Sequence, residues 1–428
     1  LSHPLELYYY PHPHYNYKIK CQKTGELFDD CYTLHHTDGA LIIANYLQPL
    51  IIKENLLGVW KFFDWLPTKI TNSNTAGTIT YRAKELGDAI GLDELWVTFH
   101  GYWPEKGGLC PTGSFKDMEA VPTIQRIFDH GCEGIICASA GNTARAFSHF
   151  CSLEKLPLIV VVGAEHEERI WTTHGENLDF VNLVVVKDGD YYDAKMVAKE
   201  LSDSLEGWQL EGGAHNIARR DGIGTLILDA YNKIGKMPDH YFQAVGGGPG
   251  PIGVKEMMDR LVDFGLDEGP IAKIHLSQNP EHSPIHNAWQ ERRKELLDSD
   301  FPSSDVEVYS DYLLNKSPAY SIQGGVHDIL DDSNGHTYVV KREDAIAASE
   351  LFEELEGIDI MSPAAVALGS LIQAIEEKTV SKDDCIVLNV SGGGLDRIHQ
   401  DFDVRKISPL ICGKRNEIVE MVLSIFQD

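Results

Sequence analysis

Short runs of Val, Ile and Leu recur along the chain, each followed by a stretch of helical periodicity. Residues 134–137, 158–163, 183–187, 241–245 and 385–390 are mostly apolar and do not alternate strictly with polar positions, and 272–277 reads as a further strand of the same sheet type. That is the pattern of strands covered on both faces of a parallel sheet. Helices are predicted over 116–130, 144–153, 193–205, 252–264, 284–297, 343–355 and 363–377, and strands alternating with helices predict an α/β fold. Residues 298–306, rich in Asp, Ser and Pro, read as a loop. At 428 residues the chain is long enough for two domains with a substantial core.

Four strings at or near the strand–helix junctions carry candidate chemistry. In Pro111-Thr112-Gly113-Ser114-Phe115-Lys116-Asp117 a lysine follows a turn and opens a helix, where the N-terminal dipole disfavours its ammonium form. Such a lysine suits a Schiff base. Ala138-Ser139-Ala140-Gly141-Asn142-Thr143 follows an apolar strand and precedes a helix, so its free backbone N–H groups suit a carboxylate and the Asn142 amide suits a ring hydroxyl. Gly246-Gly247-Gly248-Pro249-Gly250 links a strand to a helix start near Ile252, the usual physical arrangement for a phosphate. It lacks the lysine and serine or threonine of a Walker loop, and GxGxxG spacing. Ser391-Gly392-Gly393-Gly394 puts a hydroxyl at the carboxyl end of a strand, where α/β proteins keep ligands. Each string alone also suits a turn without a ligand.

Taken in order, the four strings resemble the fold-type-II pyridoxal-phosphate (PLP) enzymes, and the threonine synthase branch fits best. Arg219-Arg220-Asp221-Gly222-Ile223-Gly224-Thr225 is similar to that branch's Arg-x-Glu-Gly-x-x-Thr segment, and Met361-Ser362-Pro363-Ala364-Ala365 to its Glu-Pro-Ala-x-Ala helix start. Within the branch, Gly101-Tyr102-Trp103-Pro104-Glu105-Lys106-Gly107, Phe63-Asp64-Trp65-Leu66-Pro67 and residues 119–126 resemble the cysteate synthases. The resemblance spans residues 60–400. It implies two open, mostly parallel α/β domains with PLP in the cleft between them, plus a small N-terminal ribbon-like lobe. The expected units are 1–60, 61–215 with Lys116 and the Asn142 loop, and 216–428 with the glycine loop and Ser391, the larger two interleaved.

The resemblance further implies that Lys116 holds PLP, that Gly246, Gly247, Gly248 and Gly250 hold its phosphate, that Asn142 meets its ring oxygen and that Ser391 faces its nitrogen. Ser139, Ala140, Gly141 and Thr143 are the expected substrate loop, with Arg145, Lys106 and Arg219 as further substrate-binding residues. The implied reaction is β-replacement on O-phospho-L-serine by sulfite. Three alternatives stay open: a relative using a thiol or carbon nucleophile, a threonine synthase acting on O-phosphohomoserine, and a non-catalytic PLP-fold binding module. Pro111-Thr112-Gly113 is closer to threonine synthase, whereas the Gly-Tyr-Trp-Pro-Glu-Lys stretch speaks against it.

Composition narrows the partners. With 37 basic and 65 acidic residues the net charge is −28, which argues against nucleic acid and anionic membranes. Anionic substrates then require a local basic pocket, with Lys106, Lys116, Arg145, Arg219 and Arg220 as candidates. No apolar run is long enough for a bilayer and no signal-peptide pattern is visible, so a cytoplasmic enzyme is expected, and family members are commonly homo-oligomers. The eight scattered cysteines read as reduced thiols. Cys21, Cys31, His35 and His36 are similar to the zinc-ribbon lobe of the family, but no second cysteine pairs with Cys21 within three residues. A structural zinc wants four ligands in close pairs, so a lobe without metal is expected. The aromatic and His/Pro-rich segment Tyr8 to Tyr15 suggests no chemistry.

Overall fold

The computed structural model describes residues 16–36, 39–139, 141–189, 191–303 and 306–427. The opening aromatic segment lies outside them, as does Ala140 of the expected substrate loop. The first three strands are β1 (Tyr17–Cys21), β2 (Leu27–Phe28) and β3 (Ile42–Tyr46), followed by β4 (Ile79–Arg82) and β5 (Glu94–Phe99). Next come β6 (Gly134–Ala138), β7 (Leu158–Gly163), β8 (Trp171–Thr172), β9 (Val181–Val186) and β10 (Trp208–Leu210). The last six are β11 (His240–Ala244), β12 (Lys273–Gln278), β13 (His336–Val339), β14 (Cys385–Val390), β15 (Arg405–Lys406) and β16 (Pro409–Gly413).

Two larger sheets form the body. One runs β10-β6-β7-β9-β16, all parallel, and the other β13-β12-β11-β14-β5-β4, parallel except at the β4 edge. All six predicted strands occur, and each pairs in parallel. Every residue of β6, β7, β11 and β14 is buried, as expected when helices cover both faces. The predicted helices appear as Lys116–Asp129, Asn142–Glu154, Tyr191–Ser204, Pro249–Asp263, Arg342–Glu356 and Ser362–Glu376. The helix expected over 284–297 stops at Gln290, and Arg292 just beyond takes a left-handed conformation at φ 56°. Among the described residues no helix is long and apolar enough to cross a membrane.

A cut near residue 215 does not separate the two sheets. Strands β4 and β5 precede Lys116 in the chain, yet they join the six-stranded sheet through β5–β14 pairing. Strand β16 returns from the C-terminal end to pair with β9.

The small lobe is an antiparallel sheet in the order β2-β1-β3. Buried charges clamp it to the helices behind the site. Asp30 pairs with Arg126 at 2.7 Å and accepts a hydrogen bond from Tyr17 Oη, while Tyr46 Oη donates to Asp221, which also holds Arg260. Arg126 lies on the Lys116–Asp129 helix, so the lobe braces the element that opens with Lys116. Cys21 is buried and Cys31 exposed, and His36 pairs with Glu26 and stacks on Phe28. Among the described residues no group of three or more His, Cys, Asp or Glu is placed to hold a metal ion.

Candidate active site

Lys116 is the first residue of its helix, and two neighbouring segments pin that helix start in place. Residues 113–115 run beside 391–393: Gly393 N–H donates to Gly113 O, Phe115 N–H donates to Ser391 O, and Ser114 bridges Gly392. On the other side, Pro122 has no N–H to give the Met118 carbonyl, and Gly222 of the Ile217–Ile234 helix packs against that carbonyl and the Pro122 ring. A side chain at position 222 would put its Cβ 2.7 Å from Pro122 Cγ, so only glycine lets the two helices meet there. The Ser-Gly-Gly-Gly string and the Arg-Asp-Gly segment thus meet at Lys116 although they are far away in sequence.

Lys116 is 17% exposed, and its Nζ donates to Glu119 Oε1 at 2.6 Å. Burial pushes the ammonium pKa below its usual range, opposed by the Glu119 carboxylate. Glu119 is fully buried and stays ionised, because Arg219 and Lys116 outweigh its desolvation. Arg219 Nε donates to Glu119 Oε2 at 2.8 Å, and its Nη1 meets Glu211. Both edges of the Arg219 guanidinium are thus taken by carboxylates, which fixes the position of Glu119. Glu119 itself escaped sequence reading. The available signal was an acid three residues after the lysine, on the same helix face.

The other strings converge on the same place. Asn142 opens its helix, and its Nδ2 lies 3.8 Å from Met361 Sδ, which packs against Gly392. Gly141 N–H donates to Ser139 Oγ at 3.4 Å, and Gly141 faces the Tyr312 ring. The turn carrying Tyr312 (Asp311–Leu313) also crosses the glycine loop, where a Cβ on Gly246 would lie 3.2 Å from Leu313 O. Sequence reading missed this turn, since nothing in its composition marks it.

The glycine loop continues into a helix that starts at Pro249, three residues earlier than predicted, because proline suits the first helical position. Gly248 adopts φ +102°, and a Cβ there would lie 2.6 Å from Val326 Cγ2. Among the described residues the backbone N–H groups of Gly246, Gly247 and Gly248 find no protein acceptor. Three orphaned N–H groups at a helix N-terminus, closely walled where side chains would stand, fit a phosphate. The Ser391 hydroxyl likewise has no partner among the described residues, although the residue is only 8% exposed. These residues fit PLP. Thr143 is half-buried beside Asn142.

Lys106 is not brought to this site. Its Nζ sits 3.8 Å above the Tyr81 ring, 4.1 Å above Trp103 and 3.7 Å from Glu356. It lies beside an acidic cleft of about 420 Å³ lined by Glu105, Glu353, Glu356 and Asp359. The aromatic pair Tyr81 and Trp103 holds the cation in this position.

Residues 78–392 match the family model described as pyridoxal-phosphate dependent enzyme. A cysteate synthase of Methanosarcina barkeri is 41% identical over 409 residues, covering 94% of this chain and 98% of that protein. The chain belongs to the cysteate synthase family of pyridoxal-phosphate-dependent enzymes. A second relative, cysteate synthase of Methanocella arvoryzae, is 42% identical over 92% of the chain and 95% of its own length. A third, from Methanococcoides burtonii, is 37% identical over 96% of the chain and 99% of its own length. Among solved structures, a pyridoxal 5'-phosphate-dependent aspartate racemase matches with TM-score 0.55 at 13% identity, over 74% of this chain and 90% of that one, a likeness of fold alone. The protein is therefore a PLP-dependent enzyme of fold type II, and its relatives support β-replacement chemistry.

Proposed function

We propose that the enzyme replaces the phosphate of O-phospho-L-serine with sulfite, giving L-cysteate and phosphate. The observation that carries this reading is the convergence on Lys116 of the Asn142 loop, the glycine loop and Ser391 in a chain whose relatives are named cysteate synthase. The Cβ–O bond breaks with its electron pair leaving on phosphate, and the sulfur lone pair of sulfite forms the Cβ–S bond. Bound PLP supplies the sink for the electrons of the Cα–H bond.

The rest belongs to this chain's residues. Lys116 Nζ attaches the cofactor and then takes the Cα proton, a task helped by burial, which lowers its pKa against the opposing pull of Glu119. Glu119 fixes where that nitrogen rests, and Arg219 fixes Glu119. The N–H groups of Gly246, Gly247, Gly248 and Gly250 bind the phosphate, and the Asn142 amide orients the ring hydroxyl. Ser139, Gly141 and Thr143 hold the substrate carboxylate at the start of the Asn142 helix. Ser391 offers the ring nitrogen a neutral hydroxyl, which does not hold a proton there as a carboxylate would. A weaker electron sink favours expulsion of a β leaving group. In this reading the body consists of two interleaved α/β units, with the site where the strings from both meet.

The test is direct. Cofactor-loaded enzyme mixed with O-phospho-L-serine should release about one equivalent of phosphate per site rapidly, and added sulfite should give cysteate with multiple turnover. Phosphate release without cysteate would assign another nucleophile, and no phosphate release would refute the substrate.

A further inference from the structure

Five arginines are buried: Arg126, Arg145, Arg219, Arg220 and Arg260. Four of them sit against a buried carboxylate, namely Asp30, Glu119, Glu256 and Asp221. Arg145, 3% exposed, forms no ion pair with a described residue, and its Nε finds no acceptor among them. Its Nη2 reaches Asn142 Oδ1, its guanidinium lies 4.6 Å above the Trp171 ring, and Tyr312 is beside it. The acid whose field it feels is Asp117, which is itself engaged by the Thr112 N–H and hydroxyl. A buried cation without a counter-ion is costly, and proteins pair such groups. In a chain with 65 acidic residues, the absence of one here marks a place left for an anion.

The surroundings agree. One helical turn on, His149 is buried with Nδ1 unpartnered, and its ring centroid lies 6.1 Å from that of His174, whose Nε2 is also unpartnered. Trp171 and His174 belong to one segment and face two successive turns of the Asn142–Glu154 helix. The guanidinium is tied to the active site through Asn142, which reaches Met361 beside Gly392, and through Tyr312, whose turn crosses the glycine loop.

Resting on the substrate reading above, we propose that Arg145, roofed by Trp171 beside Tyr312, is the subsite that binds the oxyanion nucleophile, sulfite. Planar N–H donors in a dry setting suit a small oxyanion held by charge-assisted hydrogen bonds. Binding places the nucleophile beside Asn142.

Sulfate, an oxyanion without a nucleophilic lone pair on sulfur, is the probe. Titrated calorimetrically into cofactor-loaded enzyme it should bind, compete with sulfite in turnover, and lose at least ~10-fold affinity in R145Q, about 1.4 kcal/mol. R145K should retain part of that affinity. In R145Q the KM for sulfite should rise at least tenfold, and by a larger factor than the KM for O-phospho-L-serine. Equal sulfate affinity in wild type and R145Q, no sulfate binding to wild type, or an unchanged sulfite KM would each overturn the assignment. If wild type releases no phosphate from O-phospho-L-serine, the substrate reading falls, and the sulfate titration judges the anion subsite on its own.

Discussion

Glu119→Gln tests the buried charge arrangement behind Lys116 most sharply. The carboxylate accepts from Lys116 Nζ at 2.6 Å and from Arg219 Nε at 2.8 Å, and no part of its side chain is exposed. Removing one partner from a buried ion pair costs about 3–5 kcal/mol, because the remaining charge is left uncompensated. Arg219 keeps Glu211, so the lower end applies, about 3 kcal/mol. At roughly 2.1 cal/mol/K of unfolding entropy per residue, a chain of this size loses ~3 °C in Tm. Differential scanning calorimetry of the cofactor-free protein measures that shift. The same substitution removes the carboxylate that both bonds Lys116 and raises its pKa, so the pH at which Lys116 reacts with an amine-directed aldehyde should fall. An unchanged Tm together with an upward shift in Lys116 reactivity would refute the reasoning.

Other consequences are equally open to measurement. Lys116→Ala should abolish the borohydride-fixed pyridoxyl adduct seen by mass spectrometry and lower turnover by at least ~10²-fold; an adduct on another lysine would displace Lys116 from its role. Gly248→Ala forces a β-carbon into a backbone at φ +102° and against Val326, a strain of about 1–3 kcal/mol, so PLP affinity by fluorescence titration should weaken at least ~10-fold. Burial holds His275 well below the usual imidazole pKa, reinforced by His240, His336 and Lys273; it contacts His240 at 2.8 Å and Tyr338 at 3.0 Å. Its native form therefore stays neutral where the unfolded chain takes up a proton. Stability should fall as pH drops below about 6.5, by ~1.4 kcal/mol per pH unit for this residue, and His275→Phe should flatten that slope in urea titrations.

Much of the fold was legible because its strands are covered on both sides. Runs such as Leu158–Gly163 and Cys385–Val390 keep no polar face, and few other structures require that pattern. The Ile217–Ile234 helix was not predicted for the same reason in reverse. Residues 217–230 are buried all round, so no amphipathic period marks them. Strands β5 and β16 were missed as members of their sheets, since pairing partners more than 200 residues apart, such as Glu94 with Cys385 and Pro409 with Leu183, leave no local trace.

The site divides along the same line. Residue type and local order marked Lys116, Asn142, the glycine loop and Ser391 as candidates, because a lysine at a helix start, free N–H groups after a strand and glycines before a helix are short-range chemistry. Which cations remain free to meet a ligand was decided by the tertiary structure. Lys106, Arg145 and Arg219 look alike as letters, yet Lys106 is drawn out between two aromatic rings and Arg219 is locked between two carboxylates. Arg145 alone of the three is buried without a counter-ion among the described residues. A charge depends on what surrounds it, and those surroundings come from segments that only folding brings together.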